Sequence, residues 1–278
     1  MFETTTEVQE CGEVVVVYGQ PGIGKSTVLA QATKEAGDKG LWVSVVENGL
    51  STLQKDDSIA DLKGINQLPT PVTKWTDADN GGLLELFRWL CHPEQLAKYD
   101  VIALDSLNLI KDDLEAYCFK KFFIDSSEFA GMSEDDVKSR AYQFGAANLI
   151  AHEGSEWAKV IAALRYLKAK GKRVFISSHH MVGKARSVND ELEYSIIQLD
   201  FPSTKKVDLG EMLVKEADYV VYGKKDVTVA KAKGNKVRVM GGDRVFVTQA
   251  TPTITAKFRG SAPEQIELSY EELKKYLG

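Results

Sequence analysis

The sequence predicts an α/β fold: a mostly parallel central sheet covered by helices, followed by antiparallel hairpins at the C-terminus. Three observations predict it. Val14-Val15-Val16-Val17-Tyr18 is a continuous β-branched run, the pattern of a strand buried on both faces. A glycine-rich loop follows at once and opens into helix formers from Ser26 to Ala36, with Val28, Leu29 and Ala32 at helical spacing. Beyond Asp218 the apolar runs become short and alternating, divided by Gly234-Asn235, Gly241-Gly242 and Pro252, as in hairpins.

The elements follow in order. Gly37 stands where a helix C-cap belongs. Leu41 to Val46 reads as the second strand, and the polar stretch through Pro71 reads as loop. Leu83 to Leu90 reads as a helix ending near Pro93. Val101-Ile102-Ala103-Leu104 is a buried strand ending on Asp105, and Val174-Phe175-Ile176 another ending on Ser177-Ser178-His179-His180. Between them the chain is helical: Ser133 with Asp136 resembles a capping box, and Ser155 precedes a helix whose core face is Trp157, Val160, Ile161, Leu164 and Leu167. Lys184 to Lys206 reads as a polar loop, and Asp218 to Tyr222 as a strand. The hairpin runs are Val227 to Ala230, Val237 to Met240, Val245 to Thr248 and Ile254 to Phe258, and Ser269 with Glu272 caps a last helix.

At 278 residues, 44% hydrophobic and 27% charged, the chain suits one large domain over 1–278. The expected division is a core at about 12–222 with a helical insertion at about 110–156, and a β-rich extension at about 223–278. No apolar run approaches the ~20 residues that span a bilayer, and Met1 to Glu10 is polar and acidic, unlike a signal peptide. A cytoplasmic protein is expected. Cys11, Cys91 and Cys118 are odd in number and widely spaced, which argues for buried thiols over disulfides or structural zinc. Net charge is -5, but it is segregated. Residues 110–156 hold ten Asp/Glu against five Lys/Arg, whereas residues 224–244 hold seven Lys/Arg against Asp226 and Asp243.

Gly19-Gln20-Pro21-Gly22-Ile23-Gly24-Lys25-Ser26 fits the phosphate-cradling pattern GxxxxGK[ST] completely, between a strand and a helix. Backbone N–H groups and the helix N-terminus converge on phosphate oxygens there, with Thr27 continuing the site. Lys25 reaches the β- and γ-phosphates, and the Ser26 hydroxyl ligates Mg²⁺. A carboxylate at the end of a neighbouring buried strand is the second Mg²⁺ anchor, and Asp105 fits. Glu47, at the end of the second strand, can orient or deprotonate the attacking water. His92 and His152 have no metal-ligand spacing around them.

Together these positions resemble the RecA-like P-loop ATPases, with a catalytic glutamate after the next strand, a Walker B aspartate, and a polar sensor on the following strand. The sensor position falls on His179, with His180 beside it, where the family often carries glutamine; a neutral imidazole can still donate to a γ-phosphate oxygen. Lys257-Phe258-Arg259 resembles the Lys-x-Arg finger that KaiC-like and helicase-like members insert into a neighbouring subunit's site, which implies a homo-oligomer, ring or filament. From the P-loop to the C-terminal "TAKFRGSAPEQIEL" the chain is similar to the phage nucleotide-binding proteins, the Sak-type single-strand annealing ATPases. That resemblance implies ATP and Mg²⁺ as cofactors, host cytoplasm, and single-stranded DNA and a single-strand-binding protein as partners in recombination. It places DNA at the loop holding Lys184, Arg186, Lys205 and Lys206, with Tyr194 or Phe201 stacking on bases. Two other readings share the phosphate cradle: a KaiC-like nucleotide-switched assembly without DNA, and a P-loop kinase, for which Ser133 to Arg140 could form a lid.

Overall fold

Strand β1 (Val14–Gly19) is buried along its whole length, and its side chains divide between two cores. Val14, Val16 and Tyr18 enter one hydrophobic cluster, Val15 and Val17 the other. Each fully buried valine contributes ~1.5–3 kcal/mol, so this strand belongs at the centre of a sheet covered on both sides. The structure is a computed structural model, and it describes residues 11–54, 62–143, 146–186, 192–204, 206–231 and 237–278.

After β1 come α1 (Lys25–Glu35), β2 (Gly40–Ser44), α2 (Gly49–Leu53), α3 (Leu83–Leu90), α4 (Pro93–Lys98) and β3 (Val101–Asp105). Next are α5 (Lys111–Phe119), α6 (Glu134–Gln143), α7 (Ala146–Ala169), β4 (Arg173–Arg186), β5 (Glu193–Leu199) and α8 (Leu209–Glu216). The chain ends with β6 (Tyr219–Lys231), β7 (Val237–Val247), β8 (Lys257–Phe258), β9 (Gln265–Glu267) and α9 (Tyr270–Leu273). The sheet order is β2-β3-β4-β1-β6-β7-β9. From β2 to β6 neighbouring strands are parallel, whereas β7 and β9 add antiparallel pairings. Helices α3, α5, α7 and α8 cover one face, and α1, α2 and α9 the other. The α/β class, its parallel centre and its antiparallel C-terminal strands are therefore as the sequence predicts.

Several boundaries differ for physical reasons. The stretch after Glu47 contains helix α2, whose first turn is capped by the Asn48 side chain accepting from Ser51 N at 3.3 Å. Helix α7 begins at Ala146, not Ser155, although Trp157, Val160, Leu164 and Leu167 are fully buried as expected. The stretch from Lys184 is not a loop: β4 continues to Arg186 and pairs with β5 in a two-stranded ribbon running from His180–Leu199 to Arg186–Glu193. Much of that ribbon is exposed on both strands, so its sequence lacks the apolar alternation that marks a half-buried strand. Likewise β6 and β7 form one long ribbon, and Gly241-Gly242 lies inside β7 near a register shift between Lys225 and Val227, a bulge and not a turn. Ile254 to Phe258 is not a continuous strand; its end, β8, pairs with β6.

The acidic segment packs onto the core through Leu114 and Cys118 of α5 and through a small cluster of Phe123, Phe129 and Val137. The Ser133 cap forms, with Asp136 N donating to Ser133 Oγ at 3.2 Å, but the Asp136 carboxylate accepts from the Ser133 hydroxyl at 2.6 Å, so only one half of a capping box is present. Cys118 is buried, but Cys11 is exposed because it precedes β1, outside the sheet; all three thiols are free. Among the described residues no helix is long and apolar enough to cross a membrane.

Candidate functional site

The site lies at the C-terminal ends of the parallel strands, where ligands collect in open α/β sheets. Gly19, the last residue of β1, stands between His179 of β4 and Gly223 of β6. Gln20, Pro21 and Gly22 are exposed, while Ile23 is buried and anchors the turn. Gly24, at the N-cap of α1, has φ 117°, a conformation that only glycine takes without strain. Ser26 and Thr27 are half-buried in the first turn of α1, beside its unpaired N–H groups.

Lys25 is 5% exposed. Its Nζ donates to the Gly19 and Gln20 carbonyls at 3.1 and 3.0 Å. Burial pulls its pKa down to about 8, and the negative charge of Asp105 opposes that shift. A buried ammonium lying on neutral carbonyls is under-neutralised, which suits it to anionic phosphate.

Asp105 is 3% exposed. Its Oδ1 accepts from Ser106 Oγ at 3.1 Å and from Ser177 Oγ, and the two serine hydroxyls are 2.9 Å apart. These bonds fix the carboxylate and leave Oδ2 pointing toward α2. A Cβ on Gly49 would stand 2.7 Å from Asp105 Oδ2 and 3.8 Å from Ser26 Oγ. The two oxygens thus share a small space that any side chain at position 49 would fill, and this hard-oxygen pair fits Mg²⁺. Among the described residues no cluster of three or more His, Cys, Asp or Glu could hold a metal alone. Gly49→Ala is expected to weaken Mg²⁺-dependent ADP binding about tenfold and leave ADP binding in EDTA unchanged, because it displaces Asp105 and spares the loop. Calorimetry with and without Mg²⁺ checks this; equal losses in both conditions would contradict it.

Glu47 follows a strained turn. Val46 has φ 65°, costly for a β-branched residue at ~1–3 kcal/mol. It is held by Val46 N donating to Val72 O at 2.9 Å and Val45 N to Asp105 O at 2.7 Å. Glu47 is exposed beside this turn, and its charge is felt at the His179 imidazole. Burial holds His179 below the ordinary histidine range, with Lys25 pushing the same way and Asp200, Glu47 and Asp105 opposing. The neutral form of the imidazole is thereby favoured. His180 lies against Tyr222, ring centroids 6.0 Å apart, so of the pair it is His179 that shares the site with Lys25, Glu47 and Asp105.

Residues that sequence reasoning missed hold this arrangement. The fully buried Asn108 accepts from His179 N at 3.0 Å and donates to Asp200 at 3.1 Å, and Lys111 is 2.7 Å from Asp200. Ser106 and Ser177 orient Asp105. Asn108, Lys111 and Ser177 carry no local sequence signal, since their partners arrive from distant elements, whereas Ser106 is the immediate neighbour of Asp105.

The remaining candidates lie elsewhere. Lys257 Nζ donates to the Val214 and Lys215 carbonyls at the end of α8 at 3.1 and 3.0 Å, and Arg259 is 2.8 Å from Asp218. Phe258 pairs with Tyr219 at the level of Val15, four residues or about 13 Å along the strands from Gly19. Both cations are therefore remote from their own P-loop and engaged within their own chain. Lys184 and Arg186 project from the β4–β5 ribbon, each near Glu193 at 3.5 and 3.6 Å. Lys206 and Tyr194 are exposed, and Lys205 lies outside the described residues. Phe201 cannot stack on a base: it is 2% exposed and packs on Trp157 with ring centroids 5.0 Å apart. His152 stacks on Phe122 at 4.0 Å.

A family model described as "AAA domain" matches residues 12–260. No curated protein matches the sequence. Among solved structures, flagellar accessory protein FlaH from Methanocaldococcus jannaschii is 14% identical, over 95% of this chain and 87% of that one, with a TM-score of 0.43. The RadB recombinase is 12% identical, over 94% of this chain and 89% of that one, with a TM-score of 0.45.

Proposed function

We propose that this chain, which belongs to the AAA domain family, is a Mg²⁺-dependent ATP hydrolase that couples its nucleotide state to single-stranded DNA. The observation that carries the reading is the convergence of Lys25, Ser26, Asp105, Glu47 and His179 at one end of the sheet. Lys25 and the loop N–H groups bind the β- and γ-phosphates. Ser26 and Asp105 would hold Mg²⁺, which would supply positive charge to those oxygens. Glu47 orients a water and accepts its proton as the oxygen bonds to the γ-phosphorus and the bond to the β–γ bridging oxygen breaks. His179 donates to a γ-phosphate oxygen, a contact present before hydrolysis and absent after.

The DNA reading rests on continuity. β4 runs without a break from Ser177, bonded to Asp105, through His179 beside Gly19, to Lys184 and Arg186 on the ribbon. A change at His179 is thereby carried into a ribbon that bears Lys184 and Arg186 for phosphate contacts and Tyr194 for base stacking. Lys257 and Arg259 act in this reading across a subunit boundary in a homo-oligomer, exchanging their own-chain contacts for a neighbour's phosphates, and a single-strand-binding protein assists. Oligothymidylate is expected to stimulate hydrolysis several-fold at 50 mM salt and little at 200 mM, and the double variant Lys184→Ala/Arg186→Ala to lose that stimulation with basal turnover intact. Hydrolysis indifferent to DNA at both salts, with nucleotide-dependent assembly, would instead favour a switch acting on protein partners.

A further inference from the structure

We infer that the nucleoside end of the bound nucleotide lies in the cleft beside β7 and β9, and that Arg244 grips its α-phosphate from the same chain. This rests on the P-loop reading above and adds the residues that hold the other end of the ligand.

Topology divides the site into two flanks. The groups suited to γ-phosphate chemistry, His179, Asp105 and Glu47, come from β4, β3 and the end of β2, all on one side of β1. On the other side are β6, β7 and β9. A nucleotide whose γ-phosphate faces the first flank must direct its α-phosphate, ribose and base to the second.

Arg244 stands there at the loop itself. Its Nη1 donates to the Ile23 carbonyl at 3.3 Å and lies 3.6 Å from where a Cβ on Gly24 would be. One bond to a neutral carbonyl uses little of a guanidinium's five-donor capacity. Lys225 is directly opposite Arg244 in the β6–β7 ladder, and like charges so placed repel. Among the described residues neither forms an ion pair with a carboxylate. Two unneutralised cations at the edge of a phosphate loop make a place for an anion.

The adjoining cleft has room for the rest of the ligand. It measures about 650 Å³ and is lined by Arg244, Val245, Gln265, Glu267 and Leu268 among others, within the size range of small-molecule sites. Leu268 joins it to the loop: its methyls lie 3.2 and 2.9 Å from where Cβ atoms on Gly24 and Gly223 would be. Leu268 packs on the core cluster that holds Phe246 and Ile266, the sheet face that Arg244 shares, and so suits a base on the loop side, whereas Val245, Gln265 and Glu267 alternate to the opposite face.

Calorimetric titration of ADP and of inorganic pyrophosphate into the wild-type protein and into Arg244→Gln tests this. Pyrophosphate fills the β/γ cradle but presents neither α-phosphate nor ribose. Arg244→Gln is expected to raise the ADP Kd about tenfold and leave the pyrophosphate Kd within about twofold, with Arg244→Lys recovering part of the ADP affinity. Unchanged ADP affinity in Arg244→Gln overturns the inference and leaves the P-loop reading standing. Equal losses for ADP and pyrophosphate overturn it too, because Arg244 would then only brace Ile23. A wild-type protein that binds neither ligand overturns the P-loop reading and this inference with it.

Discussion

Lys25→Ala is expected to weaken ATP and ADP binding by about 10²–10³-fold and to reduce turnover to background, as befits loss of a charged group donating several short bonds. Lys25 is buried and lies on the Gly19 and Gln20 carbonyls inside the loop, whereas Arg244 stands at its edge. The lowered pKa of Lys25, about 8, gives the same prediction a pH signature. Phosphate beside the amine favours the charged form and raises its pKa on binding. Near pH 6.5 the amine is protonated in both free and bound protein, and binding moves no proton at this group. As pH rises above 8 more of the free amine is neutral, and binding takes up a growing fraction of a proton. Nucleotide affinity therefore falls as pH rises through 8. Calorimetry in buffers of different ionisation enthalpy measures the uptake; none between pH 7 and 9, or the same uptake in Lys25→Ala, would contradict this account of the lysine.

The second large effect is at Glu47. Glu47→Gln is expected to cut hydrolysis by about 10²–10⁴-fold, the range for a positioned general base, with the ATP Kd changed by less than about threefold. The amide keeps the shape of the side chain and its solvent-facing position at the strained Val46 turn. It cannot accept the water's proton. Single-turnover assays beside direct binding separate the two quantities, and near-normal turnover would remove Glu47 from the chemistry.

The parts of the site legible in the sequence are those whose signal is contiguous. A buried strand, a glycine loop and a helix lie within Val14 to Ala36, so their signals are contiguous in sequence. Asp105 was legible because a carboxylate ends an apolar run, and it is indeed the last residue of a buried strand. Glu47 was legible less directly, since β2 stops at Ser44 and the turn at Val46 intervenes. Asn108 and Asp200 were not legible: they are 92 residues apart, and only the fold makes them partners. The same holds for Arg244 and Ile23, separated by 221; in the sequence Arg244 is one cation in a basic run. Phe201 misled because an aromatic in a polar stretch looks available, whereas the β4–β5 ribbon carries the chain back to α7 and buries it on Trp157. The ribbons themselves were obscured because strands wet on both faces do not alternate, and periodicity reports burial before it reports strand geometry.

The measurement closest to the central claim is steady-state phosphate release from ATP by the purified protein, in Mg²⁺ and in EDTA, beside Lys25→Ala. The account predicts Mg²⁺-dependent release by the wild type and none above background by the variant or in EDTA. Release equal in wild type and Lys25→Ala, or none from a wild-type protein shown to bind ATP with or without oligothymidylate, would contradict it.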